Sequence, residues 1–230
     1  MRSISTDYLE QPTTPRRDSR TDPVRAMGEA RNGYRPRLAT IERSREIREI
    51  SARLITSQGL WRFSMLSLAR HLNCLLPTLC YYYKKREELI TDIVLRHIET
   101  LRARTGLAID ETEDDSPSNE LRAFAREYLL VALAEQDFHR VMVSYAGLAG
   151  PEEGRPFLLR QEVLREMVEG RLTAHAPALA GKPETARSLS RALLDTLSGA
   201  ATWMEPYGVV KPVAYAAMVA DWVLDQAARS

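Results

Sequence analysis

A cluster of cations and hydroxyl groups lies in the first half of the chain, where Lys84-Lys85-Arg86 directly follows Tyr81-Tyr82-Tyr83. Lysine and arginine neutralise phosphates, and tyrosine and threonine hydroxyls donate hydrogen bonds to phosphate oxygens. A surface that combines both groups binds a polyanion such as nucleic acid. A charge run alone is more simply a solvated face, so the interpretation depends on the elements that position these side chains.

The residues before this cluster predict two short helices joined by a tight turn. Ser64 is a suitable N-cap for the first helix, whose two turns carry one apolar stripe of Met65, Leu68, Ala69 and Leu72. Asn73 suits a left-handed turn position, and Pro77 is accepted in the first turn of a second helix that reaches Tyr82. This pattern predicts a helix-turn-helix, whose second helix enters the major groove of DNA.

Two longer helices frame these short ones. Apolar residues recur at helical spacing from Glu42 and stop at Gly59, a residue suited to the left-handed position just past a helix end. Glu87 and Glu88 open a long helix whose apolar face carries Leu89, Ile93, Ile98 and Leu101.

The residues of this region resemble the tetracycline repressor (TetR) family of bacterial transcription factors. The resemblance rests on Ile50-Ser51-Ala52-Arg53-Leu54, Gly59, Leu68-Ala69-Arg70-His71-Leu72 and Pro77-Thr78-Leu79-Cys80-Tyr81-Tyr82-Tyr83-Lys84-Lys85-Arg86-Glu87-Glu88-Leu89. It covers residues 43–104 by motif and the remainder only through helical content and length. It implies a DNA-binding domain at residues 41–104, followed by a domain for ligand binding and dimerisation, in a repressor that binds a pseudopalindromic operator as a homodimer.

The candidate DNA contacts combine phosphate anchors with residues that could face the bases: Arg43, Arg45, Leu76, Pro77, Thr78, Tyr81, Tyr82, Lys84 and Arg86. Leu75 and Leu76 stand where many relatives carry polar side chains. Leucine cannot hydrogen-bond a base edge, although it can contact a thymine methyl group. We therefore expect Thr78 and Tyr81 to carry base readout with apolar contact from Leu76, and Tyr83 to pack inward.

Charge divides unevenly along the chain. Residues 1–104 hold 20 of the 32 Lys and Arg and 12 of the 31 Asp and Glu, a formal net charge of +8, whereas residues 105–230 have a net charge of −7. A basic front half is typical of a module that binds a polyanion. Residues 1–40 are rich in Pro, Thr, Ser, Gly and Arg and lack apolar periodicity, which predicts a disordered basic arm.

The composition, 44% hydrophobic and 27% charged, is that of an ordinary globular protein. No uncharged apolar run approaches the ~18 residues that span a bilayer, and the N-terminus has no apolar signal region. These observations predict a cytoplasmic protein without membrane contact.

The rear half predicts helices throughout, so the expected fold class is all-α. Residues 105–119 are expected to form an acidic junction or loop, and residues 120–230 the second domain. Its last two helices, Glu184–Trp203 and Pro212–Ala228, have apolar faces with many small residues. Those faces suit either a four-helix seam between two copies or an intramolecular core. The seam candidates are Leu189, Leu193, Leu197, Ala216, Ala220 and Val223.

A small, apolar inducer is the expected ligand of this second domain. Candidate lining residues are Tyr128, Met142, Phe157, Trp203 and Tyr207. Aromatic and methionine residues at helical spacing are also ordinary core residues, and both interpretations remain open at this point.

Enzymatic chemistry has little support in the sequence, and no cofactor is expected. Ser/His/Asp constellations, paired metal-ligand spacings and Gly-rich phosphate loops are missing, and His139 and His175 have no partner nearby in sequence. Cys74 and Cys80 suit small core positions. Two alternatives to a repressor remain. One is a helical interaction scaffold that has lost base readout, which Leu75 and Leu76 favour, and the other is an all-α enzyme with an apolar pocket.

Overall fold

The computed structural model describes residues 23–146, 154–205 and 208–230, and the regular secondary structure in them is entirely helical. The all-α prediction is confirmed. The α-helices of the described residues are α1 (Pro23–Gln58), α2 (Met65–His71), α3 (Leu76–Tyr82), α4 (Arg86–Asp110), α5 (Pro117–Ala134), α6 (Gln136–Ala146), α7 (Arg155–His175), α8 (Pro183–Trp203) and α9 (Pro212–Arg229), with a 3-10 helix at Pro177–Gly181.

The chain divides into two units, residues 1–43 and 44–230. Residues 1–22 of the arm that we expected to be disordered lie outside the described residues, whereas residues 23–40 belong to α1, contrary to that expectation. The missing apolar periodicity argues against burial in a core but not against a helix. Ala, Met, Glu and Arg, which occur in Pro23–Arg31, have high intrinsic helix propensity.

Helix α4 joins the helix-turn-helix to the C-terminal helices. It packs on α5, α6 and α7, and α5 in turn packs on α8 and α9. The predicted junction at residues 105–119 is too long, because α4 continues to Asp110 with Thr105 and Ile109 buried one turn apart. Helix α5 starts early because the Ser116 side chain accepts a hydrogen bond from the Asn119 N–H and Pro117 occupies its first turn.

The predicted dimer seam is wrong for five of its six residues. Leu193, Leu197, Ala216, Ala220 and Val223 are each at most 1% exposed within one chain, and Leu189 is partly buried. A side chain without accessible surface in the monomer has none to bury against a second copy. Because α8 and α9 pack on each other and on α5, these stripes form the core of the C-terminal domain.

In the described ranges, no helix is both long and apolar enough to cross a bilayer.

Candidate nucleic-acid interface

The turn between α2 and α3 is closed by backbone hydrogen bonds at the end of α2. Asn73 has φ 48°, and its N–H donates to the Arg70 carbonyl at 3.2 Å, while the Cys74 N–H donates to the Ala69 carbonyl at 3.0 Å. This pair of bonds around a left-handed residue is the Schellman motif, which ends a helix and reverses the chain. The predicted left-handed turn at Asn73 and the Ser64 N-cap, which accepts from the Ser67 N–H at 3.1 Å, are both confirmed.

Helix α3 is anchored by few side chains and presents the others to solvent. Leu79 is buried and holds the helix on the core. Pro77 and Thr78 are exposed, Tyr81 is 80% exposed, and Tyr82 packs partly against the core with its ring edge against Tyr81. Leu75 at the N-cap is 76% exposed and Leu76 is 37% exposed. The N-terminal end of α3 is therefore an apolar, solvent-facing surface with one hydroxyl, Thr78.

A partly buried polar cluster fixes the C-terminal end of α3 to α1 and α4. The Tyr83 hydroxyl donates to Asp92 Oδ2 at 2.7 Å, and Arg48 Nη1 donates to that hydroxyl at 3.1 Å and to Asp92 Oδ2 at 3.3 Å. Burial, together with the hydrogen bond to Asp92, raises the pKa of Tyr83 to about 12, so the hydroxyl stays a donor at physiological pH. Tyr83 packs inward as expected, and the cluster sets the orientation of α3 relative to α4.

The cations near α3 fall into two groups. Lys84 and Lys85 are exposed, and the Lys84 backbone N–H donates to Glu88 Oε2 at 2.9 Å, which ties the residue before the Lys85 N-cap to the first turn of α4. Arg86, expected as a phosphate contact, is partly buried and donates from Nη1 to the Phe63 carbonyl at 3.1 Å. One of its five N–H donors therefore braces α4 against the loop before α2.

The two arginines of α1 have different positions. Arg45 is exposed and pairs with Glu49 one turn later, with Nε 2.7 Å from Oε1. An exposed pair of this kind is weak, so a phosphate can compete for the guanidinium. Arg43 belongs to the unit of residues 1–43.

The structure describes four of the five expected inducer residues, and these four differ in burial. Tyr128, Met142 and Phe157 are buried, with the Tyr128 ring stacked on Phe124 and the Phe157 ring edge-on to Tyr145. Trp203 is 57% exposed, and Tyr207 lies outside the described residues. For the first three the core interpretation fits the packing.

The C-terminal domain contains a buried row of hydrogen-bonded polar side chains that the sequence analysis did not predict. His97 of α4 lies 2.8 Å by Nδ1 from Glu135 Oε2 and 3.0 Å by Nε2 from His139 Nδ1. His139 Nε2 then lies 3.1 Å from Ser198 Oγ, which is 3.2 Å from the Tyr128 hydroxyl. His139 is therefore not isolated. The missed signal is that His97 occupies a core position between Ile93 and Leu101 on the apolar face of α4.

Burial, with His97 close by, lowers the pKa of His139 to about 3, so this imidazole is neutral at physiological pH. This row of hydrogen-bonded side chains links α4 to α6 and α8. Within the described ranges, no group of three His, Cys, Asp or Glu side chains could hold a metal ion. Cys74 and Cys80 are free and partly buried.

The fold and this surface define a helix-turn-helix protein with a helical second domain. Residues 114–227 match the family model described as "Tetracyclin repressor-like, C-terminal domain", and the chain belongs to the TetR family of transcriptional regulators. It is a DNA-binding regulator of a family that is not enzymatic, in agreement with the sequence resemblance. No curated protein matches the chain by sequence.

Solved structures of regulators share the fold. A TetR-family regulator from Bordetella parapertussis 12822 is 21% identical with a TM-score of 0.72, covering 79% of this chain and 94% of that chain. The ketosteroid regulator KstR2 of Mycobacterium tuberculosis is 18% identical, with a TM-score of 0.65 and coverage of 80% and 94%. AibR in complex with isovaleryl coenzyme A and operator DNA is 18% identical, with a TM-score of 0.61 and coverage of 80% and 97%.

Proposed function

We propose that this chain is a ligand-responsive repressor that binds a pseudopalindromic DNA operator as a homodimer. The observation that carries the proposal is the turn at Asn73, which leaves the N-terminal end of α3 free to enter a major groove while Leu79 and Tyr83 anchor its inner face. Such a regulator acts in the cytoplasm, where its operator lies.

Phosphate anchoring is assigned to the exposed cations at the end of α3. Lys84 and Lys85 are exposed beside Tyr82, and Arg45 joins them if its weak pair with Glu49 opens. Arg86 acts indirectly through its bond to the Phe63 carbonyl, which positions α2 relative to α4. Arg43 stays a candidate contact from the N-terminal unit.

The DNA sequence is read mainly by apolar contact. Of the residues at the N-terminal end of α3, Leu75, Leu76 and Pro77 offer only carbon, and Thr78 offers a methyl group and a hydroxyl. In the major groove, the thymine 5-methyl is the apolar feature that distinguishes one base from the others. We therefore expect thymines at the positions that face Leu75 and Leu76.

Dimerisation is assigned to the exposed faces of α8 and α9 rather than to their buried stripes. On α9, Tyr215 is partly exposed, Met218 is 58% exposed and Trp222 is 51% exposed, and the three share one face. Trp203 at the end of α8 meets Tyr215 edge-on at 5.9 Å and makes the patch continuous. The adjoining face of α8 has small residues, Ala192, Thr196 and Gly199, that permit close helix approach. Clustered, exposed apolar side chains of this kind mark a protein interface.

Ligand response is supported by two solved structures of similar fold, AibR in complex with isovaleryl coenzyme A and operator DNA and the ketosteroid regulator KstR2. Tyr128, Met142 and Phe157 remain candidates for an apolar inducer only if the core around them opens, since they pack as core residues. Trp203 is reassigned from the inducer pocket to the dimer patch.

Replacing Lys84 or Lys85 by alanine should weaken binding to all DNA sequences about equally. Each lost phosphate contact should reduce the slope of log K against log salt concentration by about 0.9. Fluorescence anisotropy with a labelled duplex between about 50 and 200 mM salt measures the slope. Lys182→Ala, an exposed lysine just before α8, is the matched control and should leave the slope unchanged. Wild-type slopes in both test variants would show that the run is only a solvated face.

A second candidate function, a helical interaction scaffold, is favoured by the exposed Leu75 and Leu76. An apolar α3 could dock on a protein rather than on DNA. The scaffold and the repressor differ in salt dependence, because counterion release gives a steep slope only for binding to a polyanion.

A further inference from the structure

A cleft lies between the end of α1, helix α6 and the end of α8, where the helix-turn-helix bundle meets the C-terminal domain. Its volume is about 270 Å³, slightly below the roughly 300–1,000 Å³ of most small-molecule sites, so only a small ligand fits. Its lining comprises Ile55, Thr56, Gly59, Leu60, Arg140, Val141, Val143, Ser144 and Thr202. Among these described residues Arg140 alone carries a charge, and the walls around it are largely aliphatic.

The hydrogen-bond donors of the cleft are nearly all in use. The Thr56 hydroxyl donates to the Asp137 carbonyl, the Ser144 hydroxyl to the Arg140 carbonyl, and the Thr202 hydroxyl to the Gly199 carbonyl. Arg140 is different, because a guanidinium has five N–H donors and the described residues take one of them, from Nη2 to the Thr202 carbonyl at 2.9 Å. No carboxylate of the described ranges forms an ion pair with it. The cleft therefore offers one partly buried cation with spare donors.

We infer that this junction cleft binds a small organic carboxylate with a compact apolar body. The carboxylate accepts charge-assisted hydrogen bonds from the Arg140 guanidinium, which suits a planar anion. The apolar body packs on Ile55, Leu60 and Val143. Neutral analogues would leave the cation without its partner and bind less well.

Arg140 is adjacent to the buried row of hydrogen-bonded side chains that leads toward the DNA-binding residues. His139, its neighbour on α6, contacts His97 of α4 at 3.0 Å. Asp92, on the same α4, holds Tyr83 at the end of α3. An anion in the cleft would contact α1 and α6 together and so change the spacing between them. Because α1 and α4 both bond Tyr83, through Arg48 and Asp92, this change would shift α3. This effector role rests on the proposed function, whereas binding of the carboxylate does not.

Binding is tested on the full chain with benzoate and hexanoate as probes, and with benzamide and hexanamide as neutral analogues. Isothermal titration should give a Kd on the order of 1 mM for at least one carboxylate, as expected for so small a ligand. Arg140→Ala should weaken this binding at least about tenfold, and Arg140→Lys should retain part of it. Ser144→Phe fills the cleft without removing the cation, and this variant should abolish carboxylate binding.

Arg126→Ala is the matched control. Arg126 is exposed and lines a different cleft, of about 380 Å³, between α4, α5 and α9, so this variant removes the same charge elsewhere in the domain. It should bind the carboxylates as the wild type does. The site assignment is overturned if neither carboxylate binds at about ten times the expected Kd, if the amides bind equally well, or if Arg140→Ala retains full binding.

The effector role is tested separately by anisotropy with a duplex selected from random sequences for tight binding. A saturating carboxylate should weaken wild-type binding at least about fivefold and leave Arg140→Ala unaffected. Equal DNA affinity with and without the bound carboxylate would overturn the coupling. A chain that binds the carboxylate but selects no duplex would instead refute the repressor.

Discussion

Met218→Glu combined with Trp222→Glu is expected to give a folded monomer that binds a two-half-site operator about 100-fold more weakly, or worse. Both side chains are more than half exposed on α9, so the change places charge on the proposed seam without disturbing the core. The loss follows because a dimer binds its second half-site at a high effective concentration, which contributes a factor of about 10² to 10⁴. Analytical ultracentrifugation and anisotropy measure the two effects.

Two control variants separate this face from other surfaces and from the core. Leu107→Glu makes a similar change at a 55% exposed position of α4 and should leave the dimer intact. Leu193→Glu changes a fully buried residue of α8. This variant should therefore lower the free energy of unfolding and not only weaken dimerisation. Burying an unpaired charge consumes much of a typical total stability of about 5–15 kcal/mol. A double variant that still sediments as a dimer would place the interface elsewhere.

Replacing the thymines of both half-sites by uracil is expected to weaken binding about 10- to 100-fold. Uracil lacks only the 5-methyl group, and burying one such carbon contributes about 0.8 kcal/mol, or roughly fourfold. Leu75 and Leu76 of two subunits could contact several methyl groups. Paired duplexes that differ only in thymine or uracil, titrated with the same protein, measure the difference.

The Leu75→Ala, Leu76→Ala double variant tests whether these side chains detect the methyl groups. It should bind thymine and uracil duplexes with nearly equal affinity, so the double-mutant cycle gives a coupling close to the whole effect. Leu66→Ala, an exposed leucine of α2, should keep the wild-type preference. Full discrimination by the Leu75/Leu76 variant would assign methyl readout to other residues, such as Thr78.

The helix-turn-helix was predictable because its determinants are local. Ser64 caps α2 through its own side chain, Asn73 adopts φ 48°, and Gly59 has φ 87° after α1. Each depends on the conformational preference of one residue type within a turn, and that preference survives in any tertiary context. The extent of α4 depended instead on tertiary packing, because Thr105 and Ile109 are buried and α4 packs on other helices, which local sequence does not reveal.

The dimer seam and the inducer pocket were not predictable because helical periodicity marks an apolar face without naming its partner. Leu193 and Val223 belong to such faces, yet both are fully buried within one chain, in which α8 and α9 pack on α5. The exposed patch around Met218 and Trp222 lies on another face of α9, and because most of this helix is apolar its sequence does not show which face is covered. The pairing of His97 with His139, 42 residues apart, likewise requires the packed helices to be known.

The position of Arg86 likewise differs from the prediction because it depends on tertiary structure. A basic triplet in the sequence suggests three equivalent cations, but the start of α4 turns the Arg86 side chain toward the Phe63 carbonyl and leaves Lys84 and Lys85 outside. Which cation is free to bind phosphate depends on how the chain enters α4. The assignment of phosphate contacts therefore rests on exposure, which the sequence does not give.

The most direct measurement is the ratio of affinities for a selected operator and for a shuffled duplex of identical composition, at about 150 mM salt. Sequence-specific regulators bind their sites about 10³-fold or more tightly than other DNA. We predict a ratio of that size for the wild-type dimer, decreasing for Thr78→Ala by the roughly 1–3 kcal/mol that one base contact contributes. Equal affinity for both duplexes would contradict sequence-specific readout by α3 and favour the scaffold.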